Sequence, residues 1–225
     1  LYLNQRKFFY NFDRRMKKYP NHRLMHRPVS TMIPSENDLY AWFYFQNCSC
    51  KTILYFPGNS GSIEDRVYKL NAFSELSFNY LIISYRGSQK NKGDPTESGL
   101  YIDAISSIAW LNQRGIDTMD IILYGESLGA AVAVEMATRY KFAGIVLESA
   151  FTSMKDMARR KFPMFPSFLI QDEFDNEKKM KDIKSPILFL HGAQDKVTPV
   201  SMGEKLYFVS NQPKFIDRKS TRLNS

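Results

Sequence analysis

The chain has 225 residues, enough for one domain with a tail, and its 44% hydrophobic and 24% charged content excludes an all-disordered, collagenous, coiled-coil or disulfide-stapled chain. No apolar run approaches the ~20 residues that span a bilayer as a helix. The net charge of +8 invites a nucleic-acid reading, but residues 1–27 hold eight Lys/Arg against one acid, residues 218–225 hold three bases and no acid, and the remainder balances twenty bases against twenty-two acids. The excess is terminal, so the body is not a basic groove and no nucleic-acid partner is expected.

Residues 1–38 read as a basic lead. Leu1-Tyr2-Leu3, running into Arg6, Lys7, Arg14, Arg15, Lys17 and Lys18, has two readings. It is the end of a membrane anchor with its basic cytoplasmic flank, or a solvated basic arm. Compartment stays open between cytoplasmic and membrane-anchored. Cys48 and Cys50, one residue apart, cannot staple distant segments or complete a zinc site.

From Leu39 the chain alternates strand and helix signals. Leu39–Phe45 is an aromatic-rich strand, and Thr52–Phe56 a buried one stopped by Pro57-Gly58. Ser62-Ile63-Glu64-Asp65 has the form of a helix-start cap, with Ile63, Val67, Leu70 and Phe73 following at helical spacing. Tyr80–Ser84 is a strand, Leu100 to Leu111 a helix stopped by Gly115, Asp120–Tyr124 a strand and Ala130–Tyr140 a helix. Gly144–Leu147 and Ile187–Leu190 are strands, and Ser201 opens a last helix through Leu206. Short apolar strands separated by helices predict an α/β fold, a mostly parallel sheet with helices on both faces. The core is expected over residues 39–216. Residues 150–184 break the rhythm, and their length and their Met and aromatic residues suggest a lid.

Gly125-Glu126-Ser127-Leu128-Gly129 carries the sharpest chemical signal. It follows an apolar strand and opens a helix of small residues. A serine on so tight a turn is held with its hydroxyl exposed at a helix N-terminus, and the glycines are needed where backbones approach too closely for a Cβ. A nucleophilic serine also needs oxyanion donors: the amide of Leu128, and one from Pro57-Gly58-Asn59-Ser60-Gly61, for which Asn59 is the candidate. No metal cluster and no phosphate-cradling motif is legible, so no cofactor is expected.

Leu54–Gly61, Ser84-Tyr85-Arg86-Gly87, Gly125–Gly129 and Leu190-His191-Gly192-Ala193-Gln194-Asp195, in this order, resemble the α/β-hydrolase superfamily, most closely the BEM46-like serine hydrolases. The resemblance covers about residues 39–209. It departs where the family usually has His-Gly in the oxyanion loop and this chain has Pro57-Gly58. Pro57 offers no N–H, but the amides of Gly58 and Asn59 remain. The resemblance implies Asp195 as the triad acid. Its place past a buried strand, where open α/β sheets put their crevice, agrees. Glu148 is the reserve.

The fold runs Ser, Asp, then His, yet the three histidines, His22, His26 and His191, all precede Asp195. His22 and His26 read as surface residues and His191 as structural. Pro213-Lys214-Phe215-Ile216 begins one more strand, and the polar stretch 217–225 resembles translated sequencing adapter rather than native sequence. The last strand and helix are therefore expected to be missing, leaving Ile187–Leu190 as an exposed edge prone to aggregation. The expected function is hydrolysis of a small acyl ester, thioester or amide by the intact parent, with this chain nearly inactive. The alternative is a noncatalytic binding or scaffold protein on the same fold.

Overall fold

The computed structural model describes residues 5–6, 10–12, 23–88, 90–164 and 166–219. Eight strands form one sheet: β1 (Val29–Ile33), β2 (Leu39–Tyr44), β3 (Thr52–Phe56), β4 (Asn79–Ile83), β5 (Ile121–Glu126), β6 (Gly144–Glu148), β7 (Ile187–Gly192) and β8 (Lys214–Lys219). Their order is β1-β2-β4-β3-β5-β6-β7-β8. β2 runs antiparallel to β1 and β4, and every other pairing is parallel. The helices are α1 (Val67–Glu75), α2 (Glu97–Asn112), α3 (Leu128–Arg139), α4 (Met154–Lys161), α5 (Asn176–Lys179) and α6 (Val200–Val209).

The period of two along the central strands sorts their side chains into two cores. Leu54, Phe56, Leu81, Ile83 and Leu123 face the larger one, which α2, α3 and α6 cover. Ile53, Tyr55, Tyr80, Ile82 and Tyr124 face the smaller one, closed by Leu70 and Phe73 of α1. α3 is buried nearly all round, which its Ala130-Ala131-Val132-Ala133-Val134 stretch permits by letting the helix lie close against the sheet. Arg86, in the turn after β4, fixes α2. Its Nη2 is 2.7 Å and its Nε 3.0 Å from Oδ1 of the fully buried Asp103, whose other oxygen accepts from the Arg86 backbone N–H.

Two strands differ from expectation. β1 was absent from the sequence reading because only Ile33 of its five residues is buried, so it has no apolar pattern. The last strand is present rather than missing. β8 continues past Ile216 and pairs with the whole of β7, from Ile187 opposite Lys214 to Gly192 opposite Lys219. Asp217–Lys219, assigned on sequence to the tail, form its second half. Its charges obscured it: Arg218 pairs with Glu204 of α6 at 2.7 Å, and Lys214 Nζ donates to the carbonyls of Tyr207, Phe208 and Ser210 at the C-terminal end of α6. Among the described residues β8, not β7, therefore stands at this edge of the sheet, opposite β1, and β7 is covered on both sides. Among the described residues no helix follows β8, and residues 220–225 lie outside them.

The segment between β6 and β7 holds α4, α5 and short helical turns. Its apolar residues divide. Met154, Ala158, Ile170, Phe174, Met180 and Ile183 are buried in the larger core, whereas Met164 and Phe168 project into solvent.

Candidate active site

Ser127 stands between the end of β5 and the first residue of α3, with φ 51° and ψ −108°. This backbone state lies outside every basin that L-residues favour, and the surroundings enforce it. The Ser127 N–H donates to the Glu148 carbonyl at 2.8 Å, and the Ser127 carbonyl accepts from Ala130 at 3.0 Å. Both motif glycines are sterically required. A Cβ on Gly125 would lie 2.5 Å from Ala130 Cα, and one on Gly129 would overlap the Phe56 carbonyl and lie 2.7 Å from that of Pro57. Ser127 is partly exposed, as a residue presented to a substrate must be.

Phe56 pairs in register with Gly125, so the loop that leaves β3 at Pro57 departs beside the turn that carries Ser127. Asn59 in that loop is partly exposed. Leu128 is buried and is the first residue of α3, so its N–H has no carbonyl within the helix. Asp195 lies just past β7, partly exposed, and its Oδ1 accepts from the amides of Val197 at 2.9 Å and Thr198 at 3.0 Å. These bonds fold the loop after β7 around the carboxylate. β3, β5 and β7 thus all deliver their predicted residues just beyond their C-terminal ends.

The histidines stand apart. His191 is buried within β7, its Nε2 2.9 Å from the Thr198 carbonyl and its ring packed on Gly203. His26 is exposed and stacks on Tyr44. His22 lies outside the described residues. Among the described residues, no hydrogen bond joins Ser127 to a histidine.

Directly under the turn lies a buried polar network that sequence reasoning missed. Glu126, at the second position of the motif, accepts at Oε1 from Arg66 Nη2 at 2.9 Å and at Oε2 from Lys69 Nζ at 3.0 Å and from the Tyr55 hydroxyl. Lys69 also reaches Glu148 Oε2 at 2.6 Å, and the Tyr124 hydroxyl donates to that same oxygen at 2.5 Å. Arg66 further donates to the carbonyls of Ser60 at 2.6 Å and Ser62 at 3.1 Å. One guanidinium therefore ties the 57–61 loop to the residue preceding Ser127. Glu148, the reserve acid, is engaged in this network.

Burial alone would raise the Glu126 carboxyl, but Arg66 and Lys69 outweigh it and hold its pKa down at about 2. Burial likewise opposes the charge on Lys69, and Glu126 with Glu148 outweighs it, holding that ammonium above its ordinary value. Tyr55 and Tyr124 are pushed upward, chiefly by burial, and donate as neutral phenols. The signal in the sequence was the three-residue spacing of Arg66 and Lys69 on one helical face, opposite acids that end neighbouring strands.

The strand order, the strained serine turn and the loops gathered at one end of the sheet define the class: the chain is a member of the α/β-hydrolase superfamily. Its relatives include Protein bem46 of Schizosaccharomyces pombe, 37% identical over 158 residues that make up 66% of this chain and 52% of that protein. They also include Lysophosphatidylserine lipase ABHD12 of Mus musculus, 31% identical over 179 residues, 70% of this chain and 45% of that protein. The chain spans about half the length of these two relatives. Among solved structures, the Pyrococcus furiosus esterase Pf2001 superposes with a TM-score of 0.76 at 18% identity, covering 96% of this chain and 90% of that one. No family model matches the chain.

Proposed function

We propose that the chain carries the nucleophile, oxyanion loop and acid of a serine hydrolase acting on an acyl ester. Ser127 attacks the carbonyl carbon. The amides of Leu128 and Asn59 stabilise the oxyanion that forms, and Asp195 orients the histidine that takes the serine proton. The reading is carried by the backbone of Ser127 at φ 51°, a strain with no structural use at a plain strand-to-helix turn and a direct use in presenting a hydroxyl. An ester is the substrate class because one relative is named a lysophosphatidylserine lipase and a structural neighbour an esterase. Thioesters and amides share the same tetrahedral chemistry.

Among the described residues, neither His26, which stacks on Tyr44, nor His191, which bonds the Thr198 carbonyl, hydrogen-bonds Ser127. Ser127 therefore attacks slowly in this chain, retaining the residual ~10³–10⁴-fold advantage over water that oxyanion donors and binding supply alone. The same observation favours one second reading, a noncatalytic binding protein on this fold. Hydrolysis of p-nitrophenyl acetate, with and without added imidazole, separates the two. The hydrolase reading expects a slow rate, measured above a protein-free blank at the same imidazole concentration, that imidazole raises and that Ser127→Ala abolishes under both conditions. An equal rate in Ser127→Ala would overturn it.

A further inference from the structure

Arg66 does more than neutralise Glu126. It ends the short helical turn Ile63–Arg66, just after the 57–61 loop, and its side chain is buried. Two of its nitrogens serve three acceptors. Nη2 donates to Glu126 Oε1 at 2.9 Å and to the Ser60 carbonyl at 2.6 Å, and Nη1 donates to the Ser62 carbonyl at 3.1 Å. Nη1 also stands 4.0 Å from Asp65 Oδ2, which accepts from the Ser62 N–H at 2.7 Å. The loop packs on the same ion pair. A Cβ on Gly58 would lie 3.0 Å from Glu126 Oε1 and 3.6 Å from Arg66 Nη2, and one on Gly61, at φ +80°, would lie 2.5 Å from Arg66 Nη1. Asn59 thus stands in a loop gripped before it, at Gly58, and after it, at Ser60, Gly61 and Ser62. The root of the loop is held from another side, where Gly129 leaves no room for a Cβ against the Phe56 and Pro57 carbonyls.

Stability does not explain the choice of an arginine. A buried ion pair costs desolvation that its attraction roughly offsets, and well-packed apolar residues commonly serve as well. Arginine supplies instead a rigid planar fork that bonds several acceptors at fixed angles. Lys69 donates to Glu126, Glu148 and the Tyr55 hydroxyl, all side chains, whereas Arg66 also bonds the backbone of the loop and of Ser62. The acceptors of Arg66 therefore belong to two separate segments. One carries Asn59, the candidate oxyanion donor, and the other ends in Ser127. Acyl transfer is sensitive to the spacing of such groups, and a misplacement of about 1 Å costs about 10²-fold in rate.

We propose that Arg66 is a positioning residue for acyl transfer: held by Glu126, it fixes the 57–61 loop at the distance from Ser127 at which the Asn59 amide meets the oxyanion. The guanidinium touches neither substrate nor reacting atoms and acts through the loop alone. The oxyanion contact strengthens as the carbonyl becomes tetrahedral, so loss of the clamp falls on kcat and leaves KM nearly unchanged. This role rests on the hydrolase reading and adds to it the device that sets its oxyanion geometry.

The test measures kcat and KM of the 225-residue chain for p-nitrophenyl acetate at a fixed imidazole concentration, above a protein-free blank, with a thermal melt of every variant. Arg66→Lys keeps the charge but replaces the fork by a point donor. Its kcat should fall at least about tenfold, toward the roughly 10²–10³-fold cost of losing an oxyanion donor, with KM within about twofold of wild type. Arg66→Met/Glu126→Met removes the pair whole, a change that commonly keeps the fold, and should lose at least as much; it carries the comparison where Arg66→Lys does not fold. Ile108→Val, which trims the larger core within α2, should lower the melting point and leave kcat within about twofold. Wild-type kcat in these Arg66 variants would overturn the proposal and leave the hydrolase reading standing. A loss expressed in KM, or an equal loss in Ile108→Val, would do the same, because the effect would then be one of general stability. A wild-type rate no greater than that of Ser127→Ala would overturn the hydrolase reading and the role of Arg66 with it.

Discussion

If Ser127 is held in a strained turn for the sake of its hydroxyl, replacing it by glycine should stabilise the protein relative to alanine. Both variants lose the hydroxyl, but only Ser127→Ala keeps a Cβ at φ 51°, ψ −108°. A non-glycine residue in so sparse a region costs about 1–3 kcal/mol. Because ψ falls well away from the left-handed basin, the upper half of that range applies. Glycine's greater freedom in the unfolded chain returns about 0.5–1 kcal/mol of the gain. The net expectation is that Ser127→Gly exceeds Ser127→Ala by about 1–2 kcal/mol. In a chain of this size that is ~2–8 °C in melting temperature. The helix start does not oppose this, since glycine is tolerated at the residue preceding α3. Paired thermal and urea melts of the two variants measure the difference directly. Melting of Ser127→Gly at or below Ser127→Ala would refute the reasoning, because the turn would then carry no strain for the site to exploit.

Glu126→Gln leaves Arg66 and Lys69 facing one another without their shared carboxylate. It should cost about 3–5 kcal/mol in urea unfolding, the usual consequence of breaking a buried pair, and an effect under 1 kcal/mol would mean that the network is hydrated. The same carboxylate predicts acid sensitivity. Its folded pKa, about 2, lies below the ordinary 4.5, so the stability it contributes is fully present above the unfolded value and is lost as pH falls from about 4.5 toward 2. Unfolding free energies measured across that window should decline in wild type and decline less in Glu126→Gln. Gly129→Ala, with its Cβ driven into the Phe56 and Pro57 carbonyls, should destabilise by at least 1–3 kcal/mol and push the 57–61 loop outward; a variant with wild-type stability would mean that the loop gives way freely.

Much of the fold was legible because its central strands are buried on both faces. Thr52–Phe56, Ile121–Glu126 and their neighbours announce themselves by composition, and the small residues of α3 announce close packing. The outer strands were legible only in part, Lys214–Ile216 being read as the start of a strand and Val29–Ile33 and Asp217–Lys219 not at all, for the complementary reason. Val29–Ile33 and Lys214–Lys219 are held by backbone pairing at the sheet's edges, where exposed side chains leave no pattern. Within the site, Ser127 and both motif glycines were readable because the turn's geometry restricts which residues can stand there. Gly129 against the Phe56 carbonyl is that restriction in physical form. The network beneath it was not readable. Tyr55, Arg66, Lys69, Tyr124, Glu126 and Glu148 come from five separate elements and turns, and sheet register alone brings Glu126 opposite Glu148. Glu148 shows the same limit from the other side. Its position at a strand end made it a reserve acid on sequence, and only the arrival of Lys69 and Tyr124 shows how its carboxylate is used.

The most direct test of the account is to find which atom of the protein a fluorophosphonate phosphonylates. Incubated with the probe and digested for peptide mass spectrometry, the chain should carry a single adduct at Ser127 that accumulates over hours rather than minutes and is absent from Ser127→Ala. An adduct on a different side chain, or none after exhaustive incubation, would contradict the assignment of Ser127 as the nucleophile.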